Sequence, residues 1–225
     1  MAEGVFITIE GIEGSGKTTQ ARLLAQFLRS MELPVTETRE PGGTDIGEMI
    51  RRILLSTSSR GISPETELLL YLACRADHVE RLIRPALERG EAVVSDRYSD
   101  ATIAYQGFGR GLDIERIRTL NEAATGALFP GITVLLDLDA EIGLARVAGR
   151  CPSGPSDRFE QEELDFHERV RAGYKYVASH EPDRVKVVNA KEEVEVVQNN
   201  IREIIREFLS KTQFWQGERI GVRGD

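Results

Sequence analysis

The chain holds 225 residues with 37 acidic and 29 basic side chains, and this net charge of −8 argues against a nucleic-acid or anionic-membrane surface as its main partner. Its 29% charged and 40% hydrophobic residues fit one soluble α/β domain with a full-sized core. Cys74 and Cys151 lack C-x-x-C spacing, the histidines lack metal-ligand spacing, and neither a leader peptide nor an apolar run approaching ~18 residues occurs, so reduced thiols, no zinc, no membrane span and a cytoplasmic location are expected.

Strand-like and helix-like periods alternate along most of the chain, which predicts a mostly parallel sheet with helices on both faces. Val5–Glu10 reads as the first strand. Directly after it, Gly11-Ile12-Glu13-Gly14-Ser15-Gly16-Lys17-Thr18 satisfies G-x-x-x-x-G-K-[ST], and Thr19 continues into an amphipathic helix. Glycines here let backbone N–H groups turn inward around phosphate oxygens. Lys17 reaches the β- and γ-phosphates, Thr18 offers a hydroxyl to Mg²⁺, and the helix points its positive end at the same anion. A bound nucleoside triphosphate is predicted.

Lys17–Met31 is that helix, Val35–Arg39 a short strand ending in the turn Glu40-Pro41-Gly42-Gly43, and Asp45–Leu55 the next helix. Pro64 opens a helical stretch running toward Arg89 and ended by Gly90. Ala92–Ser95 and Ile132–Leu136 read as buried strands, Glu141–Gly149 and Glu162–Ser179 as helices around a turn-rich loop at 151–156, Val185–Val188 as the last strand and Glu193–Leu209 as the last helix. Residues 212–225 read as a tail.

The strand Ala92–Ser95 ends in Asp96-Arg97-Tyr98, at the edge where ligands of open α/β sheets gather. There Asp96 would hold Mg²⁺ directly or through water, and Arg97 would neutralise a transferring phosphoryl group; a strand-end salt bridge is the plainer alternative. Arg39, Arg51 and Arg75 suit a second anion, because guanidinium forks bind phosphate oxygens bidentately. Tyr71 and Arg75, four apart on one helix face, suit an aromatic base and its edge, or a mere surface pair. Arg146, Arg150 and Arg158 frame the loop at 151–156 as cations frame a lid over a phosphate donor.

Six blocks, I-E-G-x-E-G-x-G-K-T-T-Q from Ile9 to Gln20, R-E-P-G-G-T from Arg39, A-C-R-A-D-H from Ala73, D-R-Y from Asp96, A-Y-Q-G from Ala104 and D-R-F-E from Asp157, resemble bacterial thymidylate kinases across residues 5–209. The resemblance implies a P-loop NTPase three-layer sandwich, with a five-stranded parallel sheet flanked by helices and a small mobile lid at about 146–160, within a domain 1–211. It implies transfer of phosphate from ATP to dTMP with Mg²⁺, and a homodimer. By position, Arg39, Arg51 and Arg97 would surround the dTMP phosphate, Tyr71 would stack on thymine, and Arg75 would bond its O4 edge. Glu13 would meet the sugar 3′-hydroxyl, Tyr105 would exclude a 2′-hydroxyl, Gln106 would complete the acceptor site, and Arg146 would stack on adenine. One branch of the family places arginine after the acidic loop residue; Gly14 stands there in this chain, so Arg150, with Arg158 second, is the expected catalytic cation. Ala101 replaces a frequent serine, which moves a polar contact near the base to Thr102 or water, and Asn189-Ala190 replaces a common Asp-Ala pair. A nucleotide-switch GTPase is disfavoured, because neither an N-K-x-D nor a D-x-x-G element is present.

Overall fold

A computed structural model describes residues 4–59, 61–150 and 157–212, without the Arg150 side chain. Among these residues five parallel strands, β1 (Val5–Gly11), β2 (Val35–Arg39), β3 (Ala92–Asp96), β4 (Ile132–Asp137) and β5 (Val185–Asn189), stand in the order β2-β3-β1-β4-β5. Helices α1 (Lys17–Ser30), α2 (Asp45–Leu55), α3 (Pro64–His78), α4 (Arg84–Glu88), α5 (Ser99–Thr102), α6 (Ile114–Thr125), α7 (Ala140–Arg150), α8 (Leu164–His180) and α9 (Val194–Ser210) cover the faces. β1 is buried throughout because a parallel sheet under helices has no wet face, which explains its mostly apolar sequence. Leu24 and Leu28 of α1 and Ile201, Ile205 and Leu209 of α9 join the core beside it.

The register decides where the chemistry sits. Ile9 of β1 and Arg39 of β2 both pair with Asp96 of β3, so the residues that follow each strand emerge side by side. The expected five-stranded parallel sheet flanked by helices is met, and no helix among the described residues is long and apolar enough to cross a membrane.

Two segments differ from expectation. The helix opened by Pro64 does not run uniformly: a wider π turn over Val79–Ile83 links α3 to α4. Pro85 has no N–H to give to the preceding turn, and the wider winding accommodates it. Between Asp96 and Ile132 the sequence suggested no helix, yet α5 runs into a π segment, Ile103–Gly109, and α6 follows. Gly107 and Gly109 hide the helical period there. Gly109 serves packing: a side chain there would meet the Phe166 ring at 2.7 Å, and one at Gly173 of α8 would meet the Ala104 backbone at 2.8 Å.

A line of buried polar groups crosses the sheet. Thr8 and Thr133 share a hydrogen bond of 2.7 Å, Asp100 accepts from Thr133 and is gripped by both Nη atoms of Arg184 at 2.8 Å. Beside it Glu10 accepts from the Tyr98 amide at 2.7 Å and the Tyr174 hydroxyl at 2.8 Å. Burial, reinforced by the Asp100 charge, pushes the Glu10 carboxyl from 4.5 up to about 8. The folded chain thus holds this proton more tightly than the unfolded one. The stability it contributes is complete below pH 4.5 and is lost as pH rises through about 8. Glu10→Gln, which copies the protonated form, is expected to remove that component. Urea unfolding at pH 5 and pH 9 checks this through a smaller loss of stability in the variant than in the parent, by on the order of a few kcal/mol.

Candidate active site

The loop between β1 and α1 is shaped by positive φ at Gly14 (72°) and Gly16 (93°), angles that disfavour a side chain. α1 begins without a side-chain cap or an acidic residue in its first turn, which leaves its N–H groups for an anion. Lys17 is buried and folds over the loop, its Nζ donating to the Ile12 carbonyl at 2.6 Å and the Ser15 hydroxyl at 3.4 Å. Burial, with Arg97 nearby, pushes its ammonium down to about 8. Gly14, Gly16, Lys17, Thr18 and Thr19 line a cavity whose far side includes Val147 of α7. A Cβ on Gly14 would stand 2.1 Å from the Gly143 carbonyl oxygen, and one on Gly143 would stand 2.4 Å from that of Glu13. The loop and α7 touch backbone to backbone, so no arginine fits at position 14 in this arrangement.

A second cavity opens behind the loop, lined by Arg51, Tyr71, Arg75, Thr102, Tyr105 and Gln106, each expected from sequence, together with Glu40, Tyr98 and Phe159. Tyr71 and Tyr105 flank Phe159, with ring centroids at 6.4 and 5.6 Å. Arg75 is 1% exposed, and every nitrogen of its guanidinium is taken. Nε donates to Glu40 at 2.8 Å, Nη1 to Thr102 at 2.8 Å and Asn121 at 2.6 Å, and Nη2 to the Tyr98 carbonyl at 3.0 Å. Although burial pushes the Glu40 carboxyl up, Arg75 and His78 hold it below its ordinary range. Arg75 therefore braces the floor of the cavity through Thr102, and it would reach a base edge only by giving up a bond it already makes. Removing one partner from such a buried pair costs about 3–5 kcal/mol.

Glu13, Arg51, Arg97 and Asp157 line both cavities and mark their junction. Arg97 follows β3 in a left-handed conformation (φ 74°), held by its amide on the Ile9 carbonyl at 3.0 Å and by the Ser95 hydroxyl on its carbonyl at 2.7 Å. That turn aims its Nη2 at Glu13 Oε1 (2.9 Å) and the Tyr105 hydroxyl (3.1 Å), and Tyr105 donates to the same Glu13 oxygen at 2.6 Å. Arg51 donates to the Pro41 carbonyl at 2.7 Å.

Asp96 accepts from the Thr18 hydroxyl at 2.5 Å through Oδ2, while its Oδ1 is buried without a hydrogen-bond partner. One carboxylate and one hydroxyl facing a phosphate-binding loop suit Mg²⁺, which takes few protein ligands and completes its shell with phosphate oxygens and water. The residues present fit that ion.

Three arginines have partners that the sequence did not name. Arg39 is exposed and pairs with Glu48 at 3.0 Å; it does not line either cavity, but its charge acts on Arg51, which lines both. Arg146 donates to the carbonyls of Ala190 (3.0 Å) and Lys191 (3.5 Å), pinning the turn after β5 beside the loop cavity. Arg158, expected as a lid cation, is 7% exposed and donates to Glu67 at 2.6 Å and the Leu54 carbonyl at 3.1 Å. Glu67 is itself buried and also accepts from Gln106 and Arg110, so Arg158 is committed to a buried carboxylate. The Arg150 side chain, the loop at 151–156 and the tail from residue 213 lie outside the described residues.

Sequence reasoning missed Phe159, Glu40, Glu67 and His167. Phe159 lay inside the D-R-F-E block, and its apolar character beside two charges was the available signal. His167 was weighed only as a metal ligand. It is buried at 1% exposure, with Nδ1 3.3 Å from Glu13 Oε2.

The thymidylate kinase family model matches residues 9–201. A thymidylate kinase of Symbiobacterium thermophilum is 50% identical over 207 residues, covering 92% of this chain and 95% of that protein. One from Geobacter sp. strain M21 is 48% identical, covering 90% and 92%. The crystal structure of a thymidylate kinase from Ehrlichia chaffeensis superposes with a TM-score of 0.73 at 33% identity, covering 90% of this chain and 99% of that one. With two cavities meeting at Arg97 and a family model spanning most of the sequence, the chain belongs to the thymidylate kinase family.

Proposed function

We propose that this protein transfers the γ-phosphoryl group of ATP to dTMP, giving ADP and dTDP for dTTP synthesis. The observation that carries the reading is the pair of cavities sharing Glu13, Arg51 and Arg97: a donor and an acceptor meet at two cations. In the transfer, a dTMP phosphate oxygen forms the new bond to the γ-phosphorus while the bond to the β–γ bridging oxygen breaks. Lys17, Arg97 and Arg51 offset the charge that spreads over the phosphoryl oxygens. The loop Gly11-Ile12-Glu13-Gly14-Ser15-Gly16 with Lys17, Thr18 and Thr19 cradles the triphosphate. Thr18 and Asp96 would hold Mg²⁺, which neutralises phosphate charge when bound. Tyr71 and Phe159 offer faces for thymine, Thr102 and Gln106 polar edges, and Glu13 an acceptor for the sugar 3′-hydroxyl. Tyr105 fills the space a 2′-hydroxyl would need, a steric exclusion of about ten- to a hundredfold.

Coupled ADP release with and without dTMP tests this reading. Near silence with ATP alone and strong release on adding dTMP are expected. ATP hydrolysis without an acceptor, or faster turnover with dUMP or dCMP, would overturn it.

Gly14 leaves the loop with Lys17 as its cation, so a lid at about 146–160 is the proposed source of another. Arg150, at the end of α7, is the assigned residue. Arg150→Ala is expected to lower kcat on the order of 10²–10³-fold with KM for dTMP little changed; near-normal kcat would refute the assignment.

A cytoplasmic homodimer is the proposed setting. Ile46, Met49 and Ile53, each about half exposed on one face of α2, and Leu69 of α3, 55% exposed, are apolar side chains on two helices that pack together, which suits a second copy. Light scattering on the parent should give twice the 25.1 kDa chain mass, and Met49→Asp with Ile53→Asp should halve it. A monomeric parent would exclude the dimer.

A further inference from the structure

His167 presents a puzzle that the transfer chemistry does not explain. It stands on α8, 1% exposed, and neither ring nitrogen has a hydrogen-bond partner. Its neighbour in the loop, Glu13 Oε2, is also buried and without a partner, although the two atoms are 3.3 Å apart. A buried imidazole left unbonded is costly, and chains rarely keep one where leucine would pack. The other Glu13 oxygen is already committed to Arg97 and Tyr105. Oε2 is thus the oxygen without a hydrogen-bond partner, and His167 is the group beside it.

We propose that His167 is a positioning residue: its Nδ1–H closes onto Glu13 Oε2 and fixes the carboxylate so that it receives the 3′-hydroxyl of the acceptor sugar. The inference rests on the reading of Glu13 as the sugar contact. An ionised carboxylate opposite Nδ1 requires that nitrogen to carry the hydrogen, which sets the tautomer. Burial pushes the Glu13 carboxyl up, but His167, Arg97, Lys17 and Tyr105 together hold it well below the usual carboxylate range. It is therefore an acceptor at every working pH. Phe166 sets its ring edge-on to the imidazole at 5.5 Å and is itself packed against Tyr105 at 6.2 Å, so the ring is held in place by the same aromatic group that walls the acceptor cavity.

The test crosses variants with acceptors. His167→Leu keeps the packing and removes the donor; His167→Asn places an amide N–H near the position of Nδ1. With dTMP, His167→Leu should raise KM about tenfold and change kcat little, while His167→Asn should stay within about threefold of the parent. With 3′-deoxythymidine monophosphate, which lacks the hydroxyl, the penalty of His167→Leu should vanish. Equal losses on both acceptors, or no loss on either, would overturn the inference, and His167→Asn supplies the same comparison if the leucine variant folds poorly: it must discriminate between the acceptors as the parent does. Glu13→Gln separates the two layers of argument. If it treats both acceptors in the parent's ratio, the sugar role of Glu13 itself is wrong; if it loses the discrimination while His167→Leu does not, His167 alone is misassigned.

Discussion

The contact of Arg97 with Glu13, 2.9 Å across the gap between the β3 and β1 ends, organises the rest of the site. Glu13 belongs to the loop that would hold the donor, and Arg97 to the turn that floors the acceptor cavity. Their pairing joins the two cavities and keeps a partly desolvated cation at the junction without leaving a bare charge. The parallel register makes it possible, since Ile9 opposite Asp96 brings both strand ends level. The left-handed turn at Arg97 then directs the guanidinium inward, at a backbone cost of roughly 1–2 kcal/mol that its two flanking hydrogen bonds offset.

Around this contact the protein separates two kinds of arginine. Arg75 and Arg158 are buried, each tied to a buried carboxylate, Glu40 and Glu67, and they serve as braces. Arg97 and Arg51 keep one edge toward the cavities. Arg97 holds Glu13 with Nη2 and Arg51 holds the Pro41 carbonyl, and both guanidiniums line the cavities where phosphate oxygens would bind. Glu67 extends the bracing: through Gln106, Arg110 and Arg158 it ties α3, the π segment and the stretch after the loop at 151–156 into one wall.

Much of this was legible in the sequence because it depends on local chemistry. The run Val5 to Thr18 specifies a buried strand, a glycine turn and a helix start in one stretch, and the strand-end position of Asp96-Arg97 follows from how parallel sheets gather ligands. What was not legible depends on distant pairing. Arg75 and Arg158 look like ligand cations until Glu40 and Glu67 are seen beside them, and those carboxylates lie tens of residues away in the chain. Residues 99–125 hid their helices because Gly107 and Gly109 break the helical period there, and Gly109 packs against Phe166 and Val170 of α8. His167 carried no spacing signal, since its neighbour Glu13 is on the opposite side of the sequence.

The contact between Gly14 and Gly143 has an evolutionary consequence. Neither position can accept even a methyl group while the other backbone stays in place, because each Cβ would fall about 2 Å from a carbonyl oxygen. An ancestor with this packing could not acquire an arginine in the loop by one substitution. α7 would first have to retreat, and α7 is the helix that leads into Arg150. A side chain at position 14 would therefore also displace the helix that carries Arg150 at its end.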